Sequence, residues 1–317
     1  MRVSVCINTY HRPAELVDLL YDLAAQVGEP KVAEVVVTDN DAAGSARSSV
    51  EPLIGQMPYR LIYQIEPVQN IALTRNRGIH RASGDWIGFL DDDERVRPDW
   101  LALMAAQARV SNADGVFSVV LQDMPATLPN WLPNWLADQG ASIHGHRRYT
   151  SGEVMPANQL FSGNVLIRKS TLLMRDGPFD AAYGLSGGED ADLFNALRLK
   201  GAHFVWCDEA WASEKLPAER LTQAWFLRRR RRGAQDYALQ VLGGVFGPVT
   251  ATTRLSLWVD SLFKLMTAMA GYLVLSLPGA DPAKRFDWRR KVEAQLGKID
   301  VLVGRRRILE YKQPGPE

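Results

Sequence analysis

Short β-branched apolar runs that end in polar or acidic residues alternate with amphipathic stretches, and this alternation restricts the fold more than any other feature of the chain. Val3 to Ile7 has the pattern of a strand, and "AELVDLLYDLAAQV" from Ala14 sets apolar residues at helical spacing just after Pro13, a residue favoured at helix starts. "EVVVTDND" (Glu34 to Asp41) and "YRLIYQIE" read as further strands, "QNIALTRNRGIHRASG" (Gln69 to Gly84) as a helix closed by Gly84, and Trp86 to Leu90 as a strand. A helix opened by Pro98 ("PDWLALMAAQARV") and a strand "DGVFSVVLQ" continue the series. Such alternation predicts an α/β fold with a mostly parallel sheet flanked by helices. Ligands of these sheets sit beyond the carboxyl ends of the strands, so Thr9 and Tyr10, Asp39 to Asp41 and Asp91 to Asp93 are expected to gather on one rim. The Trp- and Pro-rich stretch from Met124 to Gly152 reads as a long irregular loop of the kind given to lids and substrate walls.

Charge divides the chain. Its 317 residues sum to +1, yet residues 220–317 hold 18 Lys+Arg against 8 Asp+Glu, a local +10 that leaves −9 for residues 1–219. Two regions are therefore expected: an acidic α/β domain over 1–219 and a helical, basic C-terminal region over 220–317, each facing different partners. Cys6 and Cys207 are too few for a disulfide framework or a thiolate metal site, and the N-terminal apolar run is too short for a secretory signal, so a reducing cytoplasm is expected. The longest apolar stretch, Leu255 to Ala280, is interrupted by Asp260 and Lys264, and reads as a buried helix or one lying on a membrane surface, not as a span. The arginine run Arg228 to Arg232 reads as a solvated helix face or a phosphate-binding surface. With Arg285, Arg289, Arg290 and Arg305 to Arg307 it could meet anionic lipid headgroups.

The four acids of "DWIGFLDDDE" repel one another and need a cation or open water. A solvated turn would satisfy them. On an extended chain Asp91 and Asp93 point the same way, which suits Mg²⁺ or Mn²⁺ completed by substrate phosphates. His144 and His146 read as surface residues. In "YGLSGGEDADLFNALRLKG", Gly187 and Gly188 precede Glu189, Asp190 and Asp192; these acids either stabilise a helix N-terminus or deliver a base on a glycine-hinged loop.

Taken in order and spacing, "INTYHRP", "VVVTDND", "NIALTRNRGIHRASGDWIGFLDDDE", "FSGNVLIRKS" and "GGEDADL" resemble the inverting family 2 glycosyltransferases of GT-A fold, a Rossmann-like α/β architecture, over roughly residues 1–240. The tail "WASEKLPAERLTQAWFLRRRRRGAQDYA" is similar to the bacterial exopolysaccharide branch, of succinoglycan type. The resemblance implies transfer of a sugar from a nucleotide diphosphate donor, usually a UDP-sugar, with inversion. It implies that Thr9, Tyr10, Asp39, Arg75 and Asp92 line the nucleotide pocket, with Asp41 as a second candidate for the base contact because Asn40 separates the two acids. It places Asp91 near ribose and metal, Asp93 as principal metal contact and Asp190 as general base. A Q-x-x-R-W motif is absent, which implies single additions instead of polymerisation. The expected acceptor is a saccharide or a lipid-linked saccharide, with an anionic membrane surface as a further partner. Trp206, Glu214 and the Trp131/Trp135 loop are candidate acceptor contacts, although core or lid packing suits each tryptophan.

Three other readings compete. A nucleic-acid-binding protein would use the arginine run but leaves the acidic rim unexplained, so no nucleic acid partner is expected. A non-catalytic nucleotide-sugar binder leaves Asp190 without a task. A nucleotidyltransferase would carry an N-terminal glycine-rich phosphate loop, which this sequence does not show.

Overall fold

A computed structural model of the chain describes residues 1–137 and 148–309. His144 and His146 lie outside the described residues. The described residues divide into two compact units, one formed by 1–122 and 148–215 and the other by 123–137 and 216–309.

In the first unit, seven strands make one sheet. They are β1 (Val3–Thr9), β2 (Val32–Asp39), β3 (Arg60–Ile65), β4 (Trp86–Asp91), β6 (Gly115–Phe117), β8 (Val165–Arg168) and β9 (Phe204–Trp206), in the order β3-β2-β1-β4-β8-β6-β9. The pairs β1/β2, β2/β3, β1/β4 and β6/β9 are parallel, whereas β8 runs antiparallel to both its neighbours. The expected mostly parallel α/β sheet is therefore what forms. A second sheet, β5-β10-β7, joins β5 (Glu94–Val96), β10 (Ala212–Lys215) and β7 (Val120–Asp123). "DGVFSVVLQ", expected as one strand, is split between the two sheets. The break falls at Ser118 and Val119, where the Ser118 N–H donates to the Asn164 carbonyl and the Val119 carbonyl accepts from Ala212 N–H.

The period-2 alternation of the strands places one side-chain set on each face of the large sheet. Val3, Val5 and Ile7 pack under helix α1 (Pro13–Ala24) through Leu16, Leu19, Leu20 and Leu23, and under α3 (Trp100–Val110) through Trp100, Leu101 and Met104. Cys6, Val36, Ile87 and Phe89 pack on the other face against α2 (Ile71–Arg81) and α4 (Glu189–Leu199). Both cysteines are free and buried, and burial pushes their thiols up to about 12 for Cys6 and about 11 for Cys207, which makes them poor nucleophiles. Gly84 follows α2 without ending it: a Cβ there would lie 2.7 Å from Ser4 N and 2.8 Å from the Arg2 carbonyl oxygen, so only glycine lets the chain pass β1.

The second unit contains α5 (Gln223–Leu242), α6 (Ala251–Val274) and α7 (Pro282–Leu302). Thr222, Thr250 and Asp281 cap their N-termini with side-chain hydrogen bonds. A Cβ on Gly297 of α7 would sit 2.2 Å from the Arg231 carbonyl oxygen of α5, and one on Gly271 of α6 would sit 2.5 Å from the Trp288 ring of α7, so both close approaches depend on glycine. Residues 124–137 of the Trp- and Pro-rich segment belong to this unit and residues 148–152 to the first. Leu132 and Leu136 cluster with Leu216, Phe226, Leu227 and Phe286, and Trp131 stacks edge-on against Phe286 and Phe226. The described part of the expected lid is thus core-forming.

Two expectations for the basic region need correction. The arginine run is neither a free solvated face nor a phosphate surface throughout. Arg231 donates to both Asp300 oxygens of α7 at 2.7 and 3.0 Å, Arg228 donates to the Leu309 carbonyl, and Arg229 lies over the Trp225 ring. Part of the run holds α5 to α7. Of the two readings of the apolar stretch, a buried helix or one lying on a membrane surface, the first is not what forms: in α6 Leu257, Ser261 and Ala268 are covered, while Val259, Leu262, Phe263, Met266 and Leu273 on its other side are exposed.

Candidate active site

Strand register alone brings the expected rim together. Thr9 stands opposite Asp39 between β1 and β2, and Asn8 stands opposite Asp91 between β1 and β4, so three strands end at one edge of the sheet. Beyond Asp91 the chain does not stay extended. It turns at Asp92 and Asp93 and returns as β5, so the expected alternation of these side chains is replaced by convergence. The Arg12 Nη1, just ahead of α1, donates to Asp92 Oδ1 at 3.1 Å and to Asp93 Oδ2 at 2.6 Å. Thr9 Oγ1 donates to Asp92 Oδ2 at 2.8 Å. Burial works against the Arg12 charge, but Asp93 and Asp92 more than offset this and hold its pKa above the usual guanidinium value. A cation supplied by the chain itself thus compensates two of the four consecutive acids.

The acids around this turn are strained electrostatically. Burial lifts Asp92 to about 6 in spite of Arg12 and Thr9, and burial followed by the Glu214 charge lifts Asp93. Glu94 is 1% exposed and is raised well above its usual value by burial and then by Asp91 and Glu214. Its Oε2 is buried without a hydrogen-bond partner, and Glu214 faces it directly across the β5/β10 pair. Gln122 donates to Glu214. Asp91 differs from these three, its side chain being 48% exposed and 3.6 Å from Arg75 Nη2.

These shifts fix a sign for the pH dependence of stability. A carboxyl whose folded pKa lies above its unfolded value binds more protons in the native state between the two, so stability falls as pH rises through that window. For Asp92 the window runs from 3.8 to about 6. Asp92→Asn is therefore expected to gain thermal stability relative to wild type as pH rises across this window in chelator-treated protein. Paired calorimetric melts check this, and a difference that stays flat or reverses with pH would remove the buried-acid account.

Asp39 is fully buried at the end of β2, its oxygens accepting from Asp41 N–H, Ala46 N–H and the Tyr63 hydroxyl. Asp41 caps the following turn through Ala43 and Ser45 N–H groups. Asn40 between them donates to the Glu66 and Val68 carbonyls and accepts from Asn70 N–H, bracing the start of α2. Tyr10 is exposed and packs edge-on against His11. The structure thus leaves Tyr10 open on the rim and uses much of Asp39 to shape the loop.

Arg75 projects from α2 and pairs with Glu189 at the start of α4, with Phe179 beneath its guanidinium. Positive φ at Gly187 and Gly188, 78° and 91°, lets the chain turn sharply into that helix. The second residue of that helix, Asp190, accepts from Ala191 N–H through Oδ1 and faces the Ser162 N–H at 3.3 Å through Oδ2. Ser162 and Gly163 lie between Asp190 and the acidic turn, since a Cβ on Gly163 would be 2.7 Å from Glu94 Oε1 and 3.8 Å from Asp91 Oδ2. Asn164 follows with φ of 55°. Its amide donates to the Val119 and Ala210 carbonyls and accepts from Trp100 Nε1, all at 2.9 Å or less.

Asp91, Asp92, Asp93, Arg75, Thr9 and Asp190 therefore share one region, with Asp39, Asp41 and Tyr10 along the adjoining rim. Glu94, Glu189 and the Ser162–Asn164 segment lay within the quoted motifs without a role of their own, and Arg12 was not singled out at all. The "HRP" directly after the first strand was the available signal for Arg12. Trp206 takes the core-packing role of its two readings, being fully buried, and Glu214, a candidate acceptor contact, belongs to the buried acid group.

The fit of a divalent cation follows from the donor set. Among the described residues no group of three or more His, Cys, Asp or Glu is arranged around a metal. Mg²⁺ and Mn²⁺ need no such cage when one or two carboxylates and substrate phosphates complete the shell. Asp91, which is accessible, and Asp93, whose Oδ2 already accepts from Arg12, are two carboxylates of the hard oxygen type that such an ion takes.

The strand-end rim on an α/β sheet with one antiparallel insertion is the architecture of the GT-A glycosyltransferases. S. aureus TarS 1-349 in complex with UDP superposes with a TM-score of 0.54 at 16% identity, covering 96% of this chain and 92% of that one. The mannosyltransferase PcManGT of Pyrobaculum calidifontis, in complex with GDP-Man and Mn2+, superposes with a TM-score of 0.61 at 16% identity, covering 95% and 86%. At sequence level, residues 4–170 match the family model "Glycosyl transferase family 2". The succinoglycan biosynthesis protein ExoM of Rhizobium meliloti (strain 1021) is 32% identical over 312 residues, 98% of this chain and 96% of that protein. Validoxylamine A glucosyltransferase of Streptomyces hygroscopicus subsp. limoneus is 26% identical over 243 residues, 70% of this chain and 53% of that enzyme. The chain belongs to glycosyl transferase family 2.

Proposed function

We propose that the protein is an inverting, metal-dependent glycosyltransferase that moves a sugar from a UDP-sugar to a hydroxyl of a saccharide in bacterial exopolysaccharide synthesis. The observation that supports this reading is the approach of Asp91 and Asp190 to the Ser162–Gly163 segment, with Asp93 in the turn that follows Asp91. The full-length similarity to a succinoglycan biosynthesis protein supports the polysaccharide setting, and the UDP complex of TarS supports the donor class.

Tyr10 and the loop shaped by Asp39 and Asp41 would receive the nucleotide, and Thr9 with Arg12 would hold Asp92 and Asp93 in place beneath the diphosphate. Asp91 and Asp93 would hold Mg²⁺ or Mn²⁺, which when bound supplies Lewis-acid stabilisation of the departing diphosphate. Asp190 takes the proton of the acceptor hydroxyl as its oxygen bonds to the anomeric carbon. The bond from that carbon to the diphosphate oxygen breaks on the opposite face, and the nucleoside diphosphate leaves with the electron pair. Base and leaving group on opposite faces give inversion, by the same in-line logic as in inverting glycosidases. The working location in this reading is the cytoplasmic face of an anionic membrane, where a lipid-linked saccharide presents the hydroxyl.

Titration with UDP in the presence and absence of Mn²⁺ tests the site. UDP binding is expected to weaken on chelation and to become insensitive to chelator in Asp93→Ala. Equal affinity with and without metal in the wild-type protein would rule out the metal-dependent reading. A panel of nucleotide sugars, scored by Mn²⁺-dependent release of the nucleoside diphosphate, then identifies the donor.

A further inference from the structure

We propose that α6 docks the protein on an anionic lipid bilayer, lying in the interfacial plane with its solvent-facing apolar side turned into the headgroup boundary. The inference rests on the membrane location proposed above and names the surface that makes the contact.

Val259, Leu262, Phe263, Met266, Leu273 and Val274 are each at least 45% exposed. At about 100° per residue they cover an arc of roughly 120° along the helix, and no charged residue enters that arc. The only acid on α6, Asp260, is paired with Lys264 at 2.7 Å and lies 3.8 Å from Lys298. The opposite face is occupied by α7 through Leu257, Ser261, Ala268 and the Gly271–Trp288 contact.

Three occupants are available to such a face, and charge and breadth select among them. A second copy of the chain would use a narrower seam, since two-helix packing takes a strict a/d stripe. It would also bring a region of +10 against a region of +10. A membrane-spanning α6 would draw α7 with it, and α7 carries Lys284, Arg285, Arg289, Arg290 and Lys291, each expensive in hydrocarbon. An anionic interface accepts both features at once, with apolar side chains at the acyl boundary and lysines and arginines at the headgroups.

Co-sedimentation of the full chain with phosphatidylcholine–phosphatidylglycerol vesicles, and with pure phosphatidylcholine vesicles, tests the proposal. Binding is expected to the anionic vesicles at low salt, to weaken at high salt and on neutral vesicles, and to be released by alkaline carbonate. Phe263→Glu and Met266→Glu, both at exposed positions, are each expected to cut partitioning by about tenfold or more, with circular dichroism melts and UDP binding unchanged. No vesicle binding by a protein that still binds UDP would overturn the proposal and leave the active-site reading intact. Vesicle binding by a protein that does not bind UDP would support the docking face and sink the site reading instead. Variants that bind like wild type, carbonate-resistant binding, or a concentration-dependent dimer abolished by Phe263→Glu would each overturn it.

Discussion

Asp190→Asn is expected to lower sugar transfer by about 10² to 10⁴-fold, the usual contribution of a positioned base, while UDP binding stays as in wild type. The substitution is nearly isosteric, and the amide oxygen can keep one of the two native donors, Ala191 N–H or Ser162 N–H, which bond different oxygens of the native side chain. What it loses is the capacity to take a proton. Steady-state transfer rates and calorimetric UDP binding, measured on the same preparation, separate the two properties. Normal turnover with weakened UDP affinity would move Asp190 from the acceptor side to the donor side and undo the mechanism.

Arg75→Met is expected to cost about 3 to 5 kcal/mol of stability, because it removes one partner of a buried ion pair. For a chain of this size the melting temperature should drop by on the order of 10 °C. The Arg75 and Glu189 side chains are 7% and 5% exposed, so water replaces little of the lost interaction. A double-mutant cycle with Glu189→Met decides the matter: if the pair is the cause, the double variant is more stable than Arg75→Met alone. Loss of activity with an unchanged melting temperature would instead assign Arg75 to ligand contact only.

The fold and the rim were legible because they depend on local patterns. Period-2 alternation in Val3 to Ile7, acids at the ends of "EVVVTDND" and "DWIGFLDDD", and helical spacing after Pro13 each report on a few neighbouring residues. What failed depended on distant partners. Asp92 and Asp93 were expected on an extended chain, and their convergence needs Arg12, about eighty residues earlier. Arg231 read as a surface cation because its partner Asp300 lies 69 positions away. "DGVFSVVLQ" read as one strand because nothing within it reveals that Asn164 and Ala212 pull its halves into different sheets. Trp131 read as a loop residue, and its rings of contact come from Phe226 and Phe286. The apolar content of α6 was visible, but which side of it is covered depends on α7.

The buried amide of Asn164 has a consequence for anyone who wishes to alter the donor preference of this enzyme. Its left-handed backbone, three satisfied polar contacts and place next to Gly163 leave no room for another side chain. Randomised libraries should therefore hold positions 162 to 164 constant and vary open rim positions such as Tyr10 and Val68, where a new side chain meets solvent before it meets the frame.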